Sequence, residues 1–251
     1  MSRRSDLLRL LADGAEHSGE SLAAALGISR AAVWKQVQQL GARGLEVHAT
    51  PGRGYRLARP LDLLDEASLR AALPEAVAAR LRTLTVADEI GSTNEALLAA
   101  PALPPGRMDA CIAEFQTQGR GRRGRSWVAP FASGLCLSAS WAFRDAPPQL
   151  SALSLAVGVG VLRALAALGV GGVGLKWPND LLHGMRKLGG ILIELRAEAS
   201  GPAFAVIGLG LNVSLPPAVR EQRAATGLPV ASLDDFCAAA PSRGRLAAAV
   251  L

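Results

Sequence analysis

The chain has 251 residues, enough for one sizeable domain and a small one, and with 50% hydrophobic and 19% charged residues it is not an intrinsically disordered protein. The formal net charge of +6 favours an anionic partner, either nucleic acid or a phosphorylated ligand. The N-terminus carries Asp6 and Asp13 among its arginines and is no secretory signal. Arg163 interrupts the most apolar region, 150–175, which is therefore too short on each side to span a bilayer. We therefore expect a cytoplasmic protein without a membrane span.

Residues 1–60 have the pattern of a winged helix-turn-helix domain. The predicted elements are helices near Leu7, after Ser18 and after Ser29, followed by strands 45–49 and 55–58 around a glycine-containing turn. Two short helices joined by a turn that contains glycine are the helix-turn-helix pattern, and the hairpin makes it winged.

In such a domain the N-terminal residues of the second motif helix enter the major groove of DNA. The residues predicted to contact DNA are Ser29, Arg30, Trp34, Lys35 and, at the tip of the wing, Arg53. Two alternatives stay open at this point. The domain could serve protein contacts alone, and Trp34 fits a core position as well as a base contact.

The rest of the chain predicts a mixed sheet with helices packed on it. After a helical linker, 61–82, the predicted strands are 84–90, 110–116, 134–143, 173–178, 189–197 and 204–214. Helices are predicted at 92–100 and 149–169. Because the helices are segregated among strands linked as hairpins, the fold class is predicted to be α+β, with residues 83–251 as one domain.

A loop between two apolar runs alternates glycine with arginine. The segment 115–127 reads FQTQGRGRRGRSW. Glycines let backbone N–H groups approach a ligand, and arginines present planar forks to phosphate or carboxylate oxygens. This pattern indicates an anion-binding loop, although a solvated basic loop or a nucleic-acid patch would have the same composition.

A second polar group lies about fifty residues further on, within strand-like sequence. Its charged and amide residues are Lys176, Asn179, Asp180, Arg186 and Lys187. Isolated charge in a strand is costly unless it is used. Asn179 could hold the turn after Pro178, Lys176 could be structural or contact a nucleotide, and Lys187 could point to solvent. Arg186 is predicted to be an ion-pair partner.

Five segments in order, GSTN, QTQGRGRRGRSW, KWPNDLL, RKLGGILIEL and GLGLNV, resemble those of bacterial biotin protein ligases of the bifunctional type, which also repress biotin synthesis. The N-terminal segments SRAAVWKQVQQL and PGRGYRL extend the resemblance over nearly the whole chain. It implies a class II synthetase-like catalytic domain and an ATP-dependent reaction that forms biotinyl-5′-AMP. The biotinyl group then passes to a lysine of a biotin carboxyl carrier protein.

The resemblance also implies roles for individual residues. The residues implied for biotin are Ser92, Thr93, Asn94, Gln116, Gly119, Arg120, Gly121, Arg122, Lys187 and Gly190, and those for ATP and the adenylate are Arg122, Arg123, Lys176, Asn179, Asp180 and Asn212. Arg122 and Lys187 are the implied catalytic residues. Asp180 and Asn212 offer the hard oxygen ligands that Mg²⁺ prefers. The Gly208–Gly210 pair is expected to let the biotin chain approach the backbone.

Three further expectations concern the whole protein. We expect a homodimer with biotinyl-AMP bound, because two half-sites of operator DNA need two-fold symmetry. Family members continue into a small SH3-like barrel, which we expect to be absent from a chain that stops at Leu251. Two alternative functions remain: a DNA-binding biotin sensor with weak or no ligase activity, and a lipoate-type protein ligase.

Overall fold

The structure, a computed structural model, describes residues 3–41, 44–101, 103–144, 152–197, 203–225 and 229–251. The chain divides into a smaller unit, Met1–Leu63 with Pro130–Ala132, and a larger unit, Leu64–Ala129 with Ser133–Leu251. Within the described ranges, no helix has both the length and the hydropathy that crossing a membrane requires.

The smaller unit is a winged helix-turn-helix, as predicted. Its elements are α1 Arg3–Leu11, α2 Gly19–Leu26, α3 Arg30–Gly41, β1 Val47–Thr50 and β2 Gly54–Leu57. Ser18 and Ser29 begin the two motif helices, since their hydroxyl oxygens accept from the N–H groups of Ser21 at 3.0 Å and Ala32 at 3.2 Å. Gly27 ends α2 in the left-handed conformation, with φ of 61°.

The larger unit is built on one seven-stranded mixed sheet. Its strands are β3 Leu81–Ala87, β4 Met108–Ala113, β5 Gly134–Phe143, β6 Val173–Lys176, β7 Asp180–His183, β8 Arg186–Ala197 and β9 Ala203–Asn212. The order across the sheet is β3-β4-β5-β9-β8-β7-β6, with β3 and β4 parallel and all other neighbours antiparallel. The predicted α+β class is confirmed.

Helices cover both faces of this sheet. They are α4 Glu66–Ala72, α5 Glu75–Ala78, α6 Thr93–Ala99, α7 Leu153–Ala167, α8 Pro217–Ala225 and α9 Arg243–Val250. Strand β4 shows the division, because Ala110 and Ile112 lie in the large core with α4, α7 and α9, whereas Cys111 packs with Leu97 of α6. Alternate residues of a strand face opposite sides, so α6 lies on the face away from the large core.

Residues 61–82 were predicted to be a helical linker. They contain α4 and α5, but strand β3 already starts at Leu81. Leu64, Leu69 and Leu73 are buried in the core of the larger unit, so this segment from Leu64 onward is part of that unit. The helical spacing of the leucines, which predicted helices here, also indicates that these helices pack on the core of the larger unit.

Strand β7 was not predicted as a separate strand. It is four residues long and pairs with both β6 and β8, with Asp180 opposite Lys176 on one side and Gly190 on the other. A strand this short shows little alternation, and Pro178 and Asn179 before it read as a turn. Its position brings the charged residues of the 176–187 segment onto adjacent strands.

A buried ion pair joins β4 to α9. Glu114 and Arg243 are each 2% exposed at the side chain, with 2.6 Å between carboxylate oxygen and guanidinium nitrogen. Glu114 also accepts from the Leu64 N–H, and Arg243 donates to the Gly134 carbonyl. Burial raises the pKa of the Glu114 carboxyl, while the Arg243 charge acts in the opposite direction. The pair therefore fixes the chain just before Gln116.

We predict that Arg243→Met lowers the free energy of unfolding at pH 8 by about 3–5 kcal/mol, because it leaves the Glu114 charge buried without a partner. The loss should be smaller at pH 5. A carboxyl whose pKa is raised in the folded state favours folding when protonated, and that contribution is lost as pH rises. Urea unfolding at both pH values measures this. Arg245→Met, an exposed arginine on the same helix, is the matched control, and an equal loss in both variants would contradict the prediction.

Candidate active site

The sequence-predicted residues of the larger unit converge on one cavity of about 430 Å³. Those that line it are Ser92, Thr93, Asn94, Gln116, Arg120, Gly121, Arg122, Lys176, Asn179, Asp180, Lys187, Gly190 and Asn212. Gly119 and Arg123 do not line it. The volume lies within the usual range for small-molecule sites. Two stretches about fifty residues apart in sequence thus form one site.

The floor of the cavity is a row of small residues on neighbouring strands. Gly190 lies opposite Gly210, which lies opposite Cys136. A Cβ on Gly208 would lie 2.2 Å from Asn94 Oδ1, and one on Gly210 would lie 2.4 Å from the Trp127 ring. The Gly208–Gly210 pair was expected to make room for biotin. Asn94 and Trp127 occupy the space above these glycines, while Gly208 and Gly210 still line the cavity, so the approach of biotin to them stays a prediction.

Polar side chains on the floor form a connected network. Thr93 donates its backbone N–H to Gln116 Oε1 at 2.8 Å, and its hydroxyl lies 2.7 Å from that of Ser138. Ser138 Oγ also lies 2.6 Å from Asn94 Oδ1, and Asn94 Nδ2 donates to Glu194 at 2.8 Å. Thr93, Asn94 and Ser138 are each at most 4% exposed. Three neutral polar groups are thus held in fixed positions below the cavity.

Ser92 and Cys136 border this network. Ser92 caps α6, since its hydroxyl oxygen accepts from the Glu95 N–H at 3.5 Å. Burial raises the pKa of the Cys136 thiol to about 11, so the thiol is neutral at pH 7. Neither side chain adds charge to the floor.

The glycine-arginine loop is closed on itself. Its backbone pairs Gly121 N–H with the Arg125 carbonyl and Trp127 N–H with the Gly119 carbonyl. A Cβ on Gly119 would lie 2.3 Å from the Trp127 oxygen, so only glycine fits there. Arg123 is exposed at φ of 57°, a left-handed conformation that costs a non-glycine residue energy. These contacts explain why Gly119 and Arg123 serve the loop rather than line the cavity.

Two arginines of the loop are held by specific partners. Arg120 forms an ion pair with Glu194 of β8 at 2.9 Å. Arg122 donates to Asn179 Oδ1 at 3.1 Å, and Asn179 donates its Nδ2 to the Ile191 carbonyl at 2.8 Å. Asn179, predicted either to hold a turn or to contact ATP, thus braces the loop against β8.

The charged residues of the second stretch are also paired. Lys187 Nζ lies 2.7 Å from Asp180 Oδ1, with Gly190 leaving space beside them, so Lys187 does not simply point to solvent. Arg186 pairs with Asp235 at 2.9 Å, which confirms the predicted ion pair. Asn212 is buried and donates to the Ala231 carbonyl at 3.0 Å.

The cavity is strongly positive. Its cationic lining residues are Arg120, Arg122, Arg125, Lys176, Lys187 and Arg223, and among the lining residues that the structure describes Asp180 is the sole carboxylate. Low-polarity walls strengthen such a field relative to open water. The cavity therefore favours an anionic ligand, or two anions together.

Several residues of the site were not predicted from the sequence, among them Ser138, Glu194, Val219 and Arg223. Ser138 and Glu194 are polar residues within the apolar runs of β5 and β8, the same signal that had singled out Lys187. Arg223 and Val219 line the cavity from α8, which had not been predicted. An amphipathic helix this short is hard to separate from a loop by sequence.

In the smaller unit, α3 presents an exposed face that includes Arg30, Trp34 and Lys35. Trp34 is 57% exposed, so it is not a core residue. The core side of the helix carries Val33 and Val37 instead. Ser29 serves as the helix cap, and Arg53 pairs with Glu16 at 2.9 Å in the wing turn.

Comparisons with known proteins agree with this geometry. The Biotin/lipoate A/B protein ligase family matches residues 87–212, and the HTH domain family matches residues 3–56. A Salmonella typhimurium protein named bifunctional ligase/repressor BirA is 43% identical over 83% of this chain and 63% of its own length. The chain therefore spans less than two thirds of that relative.

Two further relatives are informative. A Mycobacterium tuberculosis protein named biotin–[acetyl-CoA-carboxylase] ligase is 42% identical over 75% of this chain and 68% of its own length. A solved structure of biotin protein ligase from Aquifex aeolicus, in complex with biotin and ATP, is 28% identical, with a TM-score of 0.50 over 68% of this chain and 66% of that one. The family match extends over about half of the chain, and the chain covers 68% of the Mycobacterium tuberculosis relative at 42% identity. The chain therefore belongs to the biotin/lipoate A/B protein ligase family.

Proposed function

We propose that the chain is an ATP-dependent biotin–protein ligase. It would join biotin to ATP as biotinyl-5′-AMP, release pyrophosphate, and transfer the biotinyl group to a lysine of a biotin carboxyl carrier protein. The observation that carries this proposal is a single cavity with a neutral, hydrogen-bonding floor and a cationic wall. Biotin has the matching halves, a neutral ring system and a carboxylate. With ATP and operator DNA as partners, we assign the protein to the cytoplasm.

The cationic wall supports adenylation because the reaction brings two anions together. The biotin carboxylate attacks the α-phosphorus, and the repulsion and developing charge are offset by fixed cations. Arg122 and Lys187 are proposed as the catalytic residues. Each is held by a neighbour, Asn179 at 3.1 Å and Asp180 at 2.7 Å, so little reorganisation is needed when substrates bind.

Lys187 can serve both Asp180 and the substrate, because an ammonium group has three donors. One N–H is directed at Asp180, and the others remain for the biotin carboxylate and later for the carbonyl oxygen of the adenylate. Arg120, Lys176 and Asn179 are proposed to contact the adenylate or the ATP phosphates, whereas Arg123, which does not line the cavity, would act through the shape of the loop. Gly119 and Gly121 would keep the loop close to the ligand.

Mg²⁺ fits the donor chemistry at the nucleotide side of the cavity. Asp180 and Asn212 would hold it through hard oxygens, and Mg²⁺ is commonly bound through one or two carboxylates together with substrate phosphates. Asn212 uses its Nδ2 on main-chain carbonyls, which leaves its amide oxygen as the ligand atom. No group of three or more His, Cys, Asp or Glu side chains suited to a metal occurs in the described ranges. When bound, the ion would neutralise phosphate charge.

The floor supports biotin over lipoate as the acid. Thr93, Asn94 and Gln116 offer hydrogen-bond donors and acceptors that a ureido ring can satisfy and a dithiolane ring cannot. A buried polar group left without a partner costs about 1–3 kcal/mol. A lipoate-type ligase would need no such network.

We further propose that the smaller unit makes the protein a repressor of biotin synthesis that binds operator DNA as a homodimer when biotinyl-AMP is bound. Arg30, Trp34 and Lys35 are exposed on one face of α3, where a groove-binding helix carries its contacts. Two half-sites require a two-fold axis, which a homodimer supplies.

The reaction is tested by pyrophosphate release with ATP and either biotin or lipoate. We expect release with biotin and little with lipoate, followed by biotin transfer to a carrier domain that is detected by mass spectrometry. Release with lipoate alone would favour the lipoate-type ligase. Adenylate formation without carrier transfer would favour the biotin sensor, and no release with either acid would reject both ligase functions.

Lys187→Ala should raise the KM for biotin and slow adenylation, together by about tenfold to a hundredfold, the cost of one charged hydrogen bond. It also exposes the substrate carboxylate to the unpaired Asp180. Adding Asp180→Asn should therefore recover part of the loss in biotin affinity. Because Asp180 is also proposed to hold Mg²⁺, the double-mutant cycle is measured on the Kd for biotin, without ATP or Mg²⁺. The control is Arg163→Ala, on the exposed side of α7. If Lys187→Ala matches the control, Lys187 has no role in the site.

Lys35→Ala should weaken binding to double-stranded DNA and reduce the slope of log K against log salt concentration by about 1, if Lys35 neutralises one phosphate. Fluorescence anisotropy with a labelled duplex at several salt concentrations measures the slope. Arg163→Ala, in the larger unit, should leave the slope unchanged. A parental chain with no affinity for DNA at low salt would reject the DNA-binding role.

A further inference from the structure

Glu194 lies at one end of the hydrogen-bonded network under the cavity. One of its oxygens, Oε2, accepts from Asn94 Nδ2 at 2.8 Å and from the Arg120 guanidinium at 2.9 Å. An ionised carboxylate is an acceptor only. Asn94 must therefore turn its NH₂ group towards Glu194 and its oxygen towards Ser138, and a longer contact of 3.4 Å from the same nitrogen to the Leu192 carbonyl favours this orientation too.

That orientation determines the direction of the next two bonds. Asn94 Oδ1 can only accept, so the Ser138 hydroxyl gives it its single proton across 2.6 Å. Ser138 then has no proton for Thr93. In the 2.7 Å contact between the two hydroxyls, Thr93 must therefore be the donor and Ser138 Oγ the acceptor. Every bond from Thr93 to Glu194 thus runs in one direction.

The cavity side of the network follows from this direction. Thr93 Oγ1 also lies 3.1 Å from Gln116 Oε1, but its single proton is committed to the shorter contact with Ser138. Thr93 Oγ1 therefore presents lone pairs to the cavity and acts as an acceptor. Gln116 Oε1 accepts from the Thr93 backbone N–H at 2.8 Å, so its Nε2 is the group that donates. This nitrogen has two protons, so it can interact with the Cys136 sulfur and still donate to a ligand. An acceptor beside a donor complements a cyclic urea, which offers an N–H next to a carbonyl.

We propose that Glu194 is a positioning residue that sets the hydrogen-bond direction of the floor and so selects a ureido ring. This inference rests on the proposed function, because it deepens the choice of biotin as substrate. Glu194 acts through Asn94, Ser138 and Thr93, and is absent from the residues that line the cavity. Its negative charge makes the stronger of the two contacts that fix the direction, at 2.8 Å against 3.4 Å for the Leu192 carbonyl.

The substitution that isolates the charge is Glu194→Gln. A glutamine can donate as well as accept, so only the 3.4 Å contact with the Leu192 carbonyl still favours presentation of the Asn94 NH₂ group. With Asn94 reversed, Ser138 can donate to Thr93, and Thr93 then turns a proton towards Gln116 or the cavity. The acceptor that a ureido N–H needs is lost, although the side chains keep their positions.

The complementary change restores the direction with the charge on the other residue. In Asn94→Asp/Glu194→Gln, the glutamine Nε2 donates to the new carboxylate, whose second oxygen still accepts from Ser138. The glutamine oxygen remains for Arg120. Asn94→Asp alone places two carboxylates together and should be the weakest binder of the set.

The test is calorimetric titration of the full chain and its variants with biotin. We expect Glu194→Gln to raise the Kd for biotin about tenfold or more, and the double variant to bring it within about threefold of the parent. The control is Glu95→Gln, the same change on the exposed side of α6, which should bind like the parent. Thermal melts of all variants separate this effect from loss of folding, since a purely structural role would lower Tm in step with affinity and would give no recovery in the double variant.

A Glu194→Gln variant that binds biotin within about twofold of the parent would overturn the inference, as would a double variant no tighter than Glu194→Gln. Parental chain that binds biotin but releases no pyrophosphate would overturn the ligase function and leave this comparison of Kd values valid. Parental chain that fails to bind biotin would overturn both.

Discussion

The site depends on the absence of side chains at two positions of β9. A sheet face presents a side chain at every second residue, which would normally fill the space that a ligand needs. Gly208 and Gly210 leave that face open, and the amide of Asn94 and the ring of Trp127 occupy the openings. These two side chains come from α6 and from the end of the glycine-arginine loop. The missing methyl groups therefore determine how close the helix and the loop lie to the sheet, and hence the depth of the cavity.

The charges around the cavity are arranged so that most cations have a neighbour but remain able to bind another anion. Lys187 is beside Asp180, and Arg120 is beside Glu194. Arg122 has a neutral partner, Asn179, which fixes the guanidinium without reducing its charge. A cation held by a neutral amide exerts its full field on an incoming phosphate, which is the more effective arrangement for stabilising developing negative charge.

Much of the site could be predicted from sequence because its residues break local patterns. Arginines in a glycine-rich loop and a lysine in an apolar strand are unusual enough to indicate use, and 13 of the 15 predicted ligand-site residues line the cavity. The positions of Gly119 and Arg123 were harder to predict. Gly119 packs against a backbone oxygen, and Arg123 adopts a left-handed backbone conformation. Such contacts depend on how the loop closes. Predicting that Ser138 and Glu194 belong to the site would have required the register of β5 and of β8 against β9. Sequence periodicity does not give this register.

The ion pair between Glu114 and Arg243 has a consequence for how the protein is made. Glu114 is two residues before Gln116 in the chain, but its counter-charge is 129 positions later, on α9. During synthesis from the N-terminus, β4 and the loop emerge long before that arginine. The carboxylate cannot be buried at low cost until α9 has left the ribosome. The strand end that carries Gln116 should therefore be fixed late, so that a nascent chain does not have a formed cavity until α9 has emerged.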